Sequence, residues 1–216
     1  VNAALLKHDL SMLELYEHWG QQDLVGAAPE DVVAYDRRFF GDLYKQEDIS
    51  VTGLDQAESA IAFAQELGLL DEGLVLNLET EPLPEAAMEI LAQVDLVTST
   101  GCVGYLTEKS FERLFPAVTQ GRSPWMGNFV LRMFPFDAIE ETLADWGYVT
   151  EKLEGRTFVQ RNFASAGEQE QVLEQLCDGG IDPTGKETEG QLLAEFHLSR
   201  PMKDAAEVPI ERLLQA

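Results

Sequence analysis

Ser50–Leu70 reads SVTGLDQAESAIAFAQELGLL, and its two halves obey different periods. ISVTGL, residues 49–54, is short, apolar and β-branched, the composition of a strand. Beyond it Ala57, Ala60, Ile61, Ala64 and Leu67 fall at the spacing of one helix face, and Gly68 ends the run. Asp55 stands at the junction and admits two readings. With Glu58 three residues on, it has the spacing of a capping box, and a capped helix needs no ligand. A carboxylate at the carboxyl end of a parallel strand can also accept both hydroxyls of a ribose through its two oxygens.

Outward from this stretch the same alternation repeats. Strand GLVLNL (73–78) precedes helix PEAAMEILAQ, strand VDLVTS (94–99) precedes helix TEKSFERLF (107–115), and strand NFVLRMF (128–134) precedes helix DAIEETLADWG. Strands separated by helices of this length predict parallel β-α-β units and a sheet covered on both faces. Upstream, residues 2–9 predict a short helix, Ser11 with Glu14 a capping box that opens MLELYEHW, Gly20 its end, and Pro29 the first turn of PEDVVAYDRRFFGDLY. Downstream, YVTEKL and RTFVQRNF around Gly155 predict an antiparallel hairpin. Ser165 with Glu168 caps a further helix that ends at Gly179 and Gly180, and GQLLAEFHLSR is a last strand. The expected fold is α/β: a Rossmann-like, doubly wound, mostly parallel sheet with a C-terminal antiparallel hairpin. At 216 residues one domain, 1–216, is expected, with 164–216 as its C-terminal helix-strand extension.

Fifteen basic residues against 39 acidic ones leave a net charge of −24, spread along the chain, so the surface repels phosphate backbones and anionic lipid. No nucleic-acid or membrane partner is expected. No apolar run approaches the roughly 18 residues of a membrane span. Cys102 and Cys177 are far apart and match no metal or disulfide spacing, as in a protein of the reducing cytoplasm.

In an open parallel sheet, ligands sit beyond the carboxyl ends of the strands. The strand at 49–54 delivers Asp55 and Gln56, the next Asn77, Leu78 and Glu79, and the third Ser99, Thr100, Gly101 and Cys102. Acids and amides of this kind can hold a ribose and an adenine edge, though polar loops and tight turns use the same residues. His8, His18 and His197 make no metal-ligand spacing and read as surface or half-buried side chains. Trp19, Trp125 and Trp146, like the FVLRMF run (129–134), read as core or substrate-pocket walls, with core favoured. Neither a Gly-x-Ser-x-Gly elbow nor a phosphate loop occurs, which leaves hydrolase and kinase readings without support.

The order strand, Asp55, alanine-rich helix, strand, Asn77-Leu78-Glu79, strand, Ser99-Thr100-Gly101 resembles the class I S-adenosylmethionine-dependent methyltransferases over residues 1–163. The resemblance implies that Asp55 binds the ribose hydroxyls, that Gln56 lies by the adenine, that Asn77 and Leu78 flank the adenine ring, and that Ser99 and Thr100 face the methionine portion. It implies S-adenosylmethionine as cofactor; the acidic surface favours a small-molecule acceptor, which Tyr105 and Glu108 could face, though an ordinary loop residue and a helix-start acid are their plainer and favoured readings. The family's acidic glycine-rich loop is absent; VNAALLKHDL matches the helix that follows it, so the expectation is either a longer natural protein or a crippled fragment. A nicotinamide-dependent oxidoreductase would use the same ribose-binding acid, but the hairpin opposes it, and an adaptor without cofactor is the third reading.

Overall fold

The computed structural model describes residues 2–20 and 24–213. The chain forms two compact units, Val1–Asn77 and Leu78–Ala216. Residues 164–216, read from sequence as an extension, belong to the second of them.

In the first unit, α1 (Asn2–Lys7), α2 (Met12–Trp19) and α3 (Pro29–Gly41) precede β1 (Thr52–Asp55), α4 (Glu58–Glu66) and β2 (Glu72–Val75). The capping box forms as its sequence predicts: Ser11 Oγ accepts the Glu14 N–H, and Glu14 Oε2 accepts the Ser11 N–H at 2.7 Å. Pro29 opens α3, where its missing N–H costs nothing. Apolar positions of α1, α2, α3 and α4 meet at Ala4, Leu15, Phe40, Leu67 and Leu69. β1 and β2 run parallel, with Thr52 opposite Glu72 and Asp55 opposite Val75. The buried Lys7 ammonium donates to Asp71, whose carboxylate also accepts the Val51 N–H at 2.7 Å, so α1 is tied to the entrances of both strands.

Two histidines are more deeply placed than their sequence context predicts. His8 and His18 are buried, not on the surface. His18 stacks on Tyr35 and Phe39, and its Nε2 lies 2.7 Å from Asp36 Oδ1, which also accepts the Trp19 indole N–H at 3.1 Å. The apolar face of α3 supplies the rings, and one buried carboxylate satisfies the polar atoms that would otherwise be stranded among them.

In the second unit, α5 (Glu85–Leu91), β3 (Leu96–Thr100), α6 (Glu108–Val118), β4 (Trp125–Leu131), α7 (Asp137–Asp145), β5 (Tyr148–Lys152), β6 (Phe158–Asn162), α8 (Ala166–Asp178), β7 (Gln191–Pro201), α9 (Met202–Glu207) and α10 (Ile210–Leu213) follow one another. Its sheet has the order β3-β4-β7, with β5 and β6 both on the far edge of β7. β3 and β4 are parallel, while β7 is antiparallel to β4, β5 and β6. Four strands therefore run one way and β7 alone runs against them, a mostly parallel sheet as expected.

The predicted hairpin about Gly155 does not form. β5 pairs with residues 197–201 of β7 and β6 with residues 191–194, so the two are consecutive pieces of one edge. Gly155, at φ +72, turns a short excursion between them without reversing the chain. Pairing only with each other would leave the 11-residue β7 with an open edge; lying along it, both gain a partner. The antiparallel pairing at the C-terminal end is thus real, but its partner is β7. Strand β4 also begins three residues earlier than its apolar run implies, because Trp125, Met126 and Gly127 complete the ladder with β3.

Both faces of this sheet are covered. On one, Phe115 of α6 packs its ring edge on Tyr148 of β5 at 4.8 Å, and Phe136, just before α7, lies 4.7 Å from the His197 ring. On the other, Val172 and Leu176 of α8 pack with Leu131, Leu192 and Ala194, and Ile210 of α10 with Leu153 and Leu198. Trp125 supports this second face, with Arg200 above its ring and Asp204 accepting its indole N–H at 2.7 Å. Trp146, expected in the core, is 47% exposed. No described helix is long and apolar enough to cross a membrane.

Candidate functional site

Two groups of side chains collect the residues singled out by the sequence, one in each unit. In the first unit, Asp55 ends β1 and Asn77 lies two residues past β2. Helix α4 has Ala57 as its N-cap, with no side-chain cap, so the Asp55–Glu58 capping box does not form. Asp55 sits two residues before that cap and instead accepts the Ala57 N–H on Oδ1 at 2.8 Å, an Asx turn that leads the chain into the helix. Its Oδ2 accepts no hydrogen bond among the described residues, and the residue is exposed. Gln56 Oε1 accepts from Asn77 Nδ2 at 3.0 Å, so the residues delivered by adjacent parallel strands meet as an amide pair. A carboxylate with an open oxygen beside two primary amides can receive vicinal hydroxyls and a heterocycle edge.

In the second unit, Leu78, Glu79, Ser99 and Glu108 play different parts. Leu78 is buried, and its carbonyl accepts a guanidinium N–H of Arg113. Glu79 serves the start of α6: Oε1 accepts the Thr107 N–H at 2.8 Å and the Ser110 hydroxyl at 2.5 Å, and Oε2 the Thr107 hydroxyl at 2.8 Å. Burial pushes the Glu79 carboxyl up, but the hydrogen bonds from Ser110 and Thr107 outweigh it and hold the group below its ordinary value. Ser99 Oγ donates to Asn128 Oδ1 at 2.6 Å, across the β3–β4 pair. Glu108 is in the first turn of α6, a plain helix-start acid.

Thr100 and Gly101 border a cavity of about 260 Å³ beyond the carboxyl ends of β3, β4 and β6. Its floor is apolar, made by Leu131, Val172 and Leu192 with Met133 and Phe134, and continues the α8-side core. Tyr105, Gln160, Arg161 and Glu168 complete the wall. Two backbone irregularities shape it. Val159 pairs with Leu193 and Arg161 with Leu192, so Gln160 is the extra residue of a β-bulge. Opposite, Gly101 holds φ +65, and a Cβ there would lie 3.6 Å from the Gln160 side chain. Arg161 and Glu168 form a two-pronged pair, NH2 to Oε1 at 2.5 Å and NH1 to Oε2 at 3.0 Å. The Arg161 guanidinium and the Ala164 N–H bring the Glu168 carboxyl down to about 2.

Of the residues expected to face an acceptor, Tyr105 is on this cavity and Glu108 is not among its walls. Gln160 and Arg161 carried no signal in sequence; Glu168 read only as the capping partner of Ser165, and Met133 and Phe134 as part of the apolar FVLRMF run. Gln160 and Arg161 read as ordinary strand positions, and only the pairing of β6 with β7 creates the bulge. Burial pushes the His197 ring below its usual value, and among the described residues no group of three acids, histidines or cysteines could hold a metal ion.

No protein-family model matches the chain, and no curated protein matches it in sequence. Among solved structures, the chain is similar to the (4+2)-cyclase SpnF, with 12% identity over 77% of this chain and 71% of that one and a TM-score of 0.39. It is also similar to the plantazolicin methyltransferase BamL in complex with a triazolic desmethylPZN analog and SAH, with 12% identity over 72% of this chain and 69% of that one and a TM-score of 0.39. At this identity and superposition neither likeness speaks to what the chain does.

Proposed function

We propose that the protein binds S-adenosylmethionine and transfers its methyl group to a small-molecule acceptor. The observation that carries the proposal is Asp55: a carboxylate at the carboxyl end of a parallel strand that does not cap the next helix, keeps Oδ2 open, and stands beside the Gln56–Asn77 amide pair. Asp55 would take the ribose hydroxyls and Gln56 the adenine edge, with Asn77 orienting the Gln56 amide. In the second unit, Thr100, on the carboxyl end of β3, borders a cavity of a size suited to a small acceptor. When bound, S-adenosylmethionine supplies an electrophilic methyl on a sulfonium; the acceptor bond forms as the carbon–sulfur bond breaks. The protein's part in such a transfer is to align the acceptor and to exclude water. The net charge of −24 disfavours a nucleic-acid acceptor.

Calorimetric titration with S-adenosylhomocysteine and, separately, with NAD tests this reading. Heat with S-adenosylhomocysteine alone supports it. Heat with NAD alone would make the protein an oxidoreductase, and heat with neither would make it an adaptor.

A further inference from the structure

The cavity at the ends of β3, β4 and β6 has a chemistry specific enough to name what it takes. Its volume, about 260 Å³, exceeds the roughly 150 Å³ that accepts a single benzene and falls just short of the range of drug-sized sites. One substituted ring, or two fused rings, is the size that fits. The floor of Leu131, Val172 and Leu192 is core, and Met133 and Phe134 beside it offer a thioether and a ring, both of which favour an aromatic face.

Charge narrows the class further. Arg161 and Glu168 are the charged side chains on the wall, and each neutralises the other through two hydrogen bonds. An anion would have to displace Glu168 from the guanidinium, and a cation would face that guanidinium; either would give up hydration with nothing to replace it. The polar groups that remain are the Thr100 and Tyr105 hydroxyls and Gln160; the Gln160 amide makes no hydrogen bond among the described residues, and the bulge sets it on the wall opposite Gly101. An amide with donor and acceptor both open matches a hydroxyl, which is both as well.

We propose that this cavity binds an uncharged, hydroxylated aromatic molecule of one or two rings, its face on Met133 and Phe134 and its hydroxyl at Gln160. This deepens the methyl-transfer reading, on which the identification of the ligand as acceptor rests. In that reaction the hydroxyl oxygen gains the methyl, the carbon–sulfur bond breaks with its electron pair kept by sulfur, and the hydroxyl proton leaves to solvent.

The test is calorimetric titration of the full chain at neutral pH with 2-naphthol, 2-naphthoate and 2-naphthylmethylammonium, three probes of one shape and different charge. The expected result is that 2-naphthol binds at least about tenfold more tightly than either ion, a gap of about 1.4 kcal/mol. Met133→Trp fills the cavity and should abolish the heat; Gln160→Leu, a milder change on the same wall, should weaken 2-naphthol and leave naphthalene unaffected. Glu168→Gln uncovers the Arg161 charge and should reverse the order in favour of 2-naphthoate, an outcome that a purely structural role for Glu168 would not produce. Equal binding of the three probes, preference of the unaltered protein for an ion, or a Gln160→Leu protein that holds 2-naphthol as before would overturn the proposal. Binding of 2-naphthol without S-adenosylhomocysteine would sustain it and remove the methyl-transfer reading. S-adenosylhomocysteine binding without 2-naphthol would do the reverse.

Discussion

Asp55→Ala separates a ribose-binding carboxylate from a turn-forming one, because the two roles differ in magnitude. In the folded chain the Asp55 side chain is exposed and makes one hydrogen bond among the described residues, from the Ala57 N–H at 2.8 Å. Losing a single bond of this kind costs about 0.5–1.5 kcal/mol, and at an exposed turn the low end applies because water replaces the acceptor. For a chain of this length a 1 kcal/mol loss moves the melting temperature by about 2–4 °C. A ribose diol held by the carboxylate contributes two charge-assisted hydrogen bonds at about 1.5–3 kcal/mol each, so removing them costs at least about 3 kcal/mol. At 1.4 kcal/mol per decade, affinity for S-adenosylhomocysteine should fall by a factor of about 100 or more. Asp55→Asn refines the comparison: its Oδ1 can still accept the Ala57 N–H, so the melting temperature should stay put while affinity drops for want of charge. Calorimetric titration and thermal unfolding by circular dichroism on the three proteins give both numbers. An undiminished affinity in Asp55→Ala, or a loss no larger than its loss of stability, would refute the reasoning.

The remaining expectations concern the second unit. Glu79 is held below its ordinary value despite its burial, by the hydroxyl and amide donors of Ser110 and Thr107, so the folded state binds this proton more weakly than the unfolded one. Its contribution is therefore complete above about pH 4.5, the unfolded value, and is lost as pH falls through the lower folded value; Glu79→Gln should flatten the acid limb of a urea-unfolding series in that window. Glu187→Ala removes the buried carboxylate to which the buried Arg132 guanidinium donates at 2.5 Å, leaving it the Asp182 carbonyl and Glu195 at 3.9 Å, and should cost about 3 kcal/mol by urea denaturation. Replacing the pair together, Arg132→Met with Glu187→Leu, should recover most of that loss, since no charge is left behind. Gly104→Ala forces a Cβ within 2.6 Å of the Phe134 ring at φ +106, and should cost about 1–3 kcal/mol while weakening 2-naphthol through the displaced cavity wall. A melting curve unchanged from that of the unaltered protein would contradict the close approach.

Local rules account for most of what could be read from the residues. Ser11 with Glu14 and Ser165 at the head of α8 cap helices as written, because a cap is settled within four residues. The alternation of short apolar runs with helix-period segments announced a mostly parallel sheet covered on both faces, because burial on one side of a helix and both sides of a strand leaves different periods in the chain. The carboxyl-end residues Asp55, Gln56, Asn77, Ser99 and Thr100 followed from the same periods. The location of those residues did not reveal their bonding. Asp55 and Glu58 have capping-box spacing, yet α4 starts at Glu58 and the carboxylate takes an Asx turn instead, a choice made by where β1 ends against β2. YVTEKL and RTFVQRNF look like a hairpin because turn signals are local, whereas their partner is β7, some 30 to 50 residues onward in the chain. The bulge at Gln160, and with it the cavity wall, exists only through that pairing. Secondary structure was determined by interactions between near neighbours and could be read along the chain; strand partners, burial of His8 and His18 and the shape of the cavity were decided by contacts between distant residues, whose energies enter only once the chain has folded.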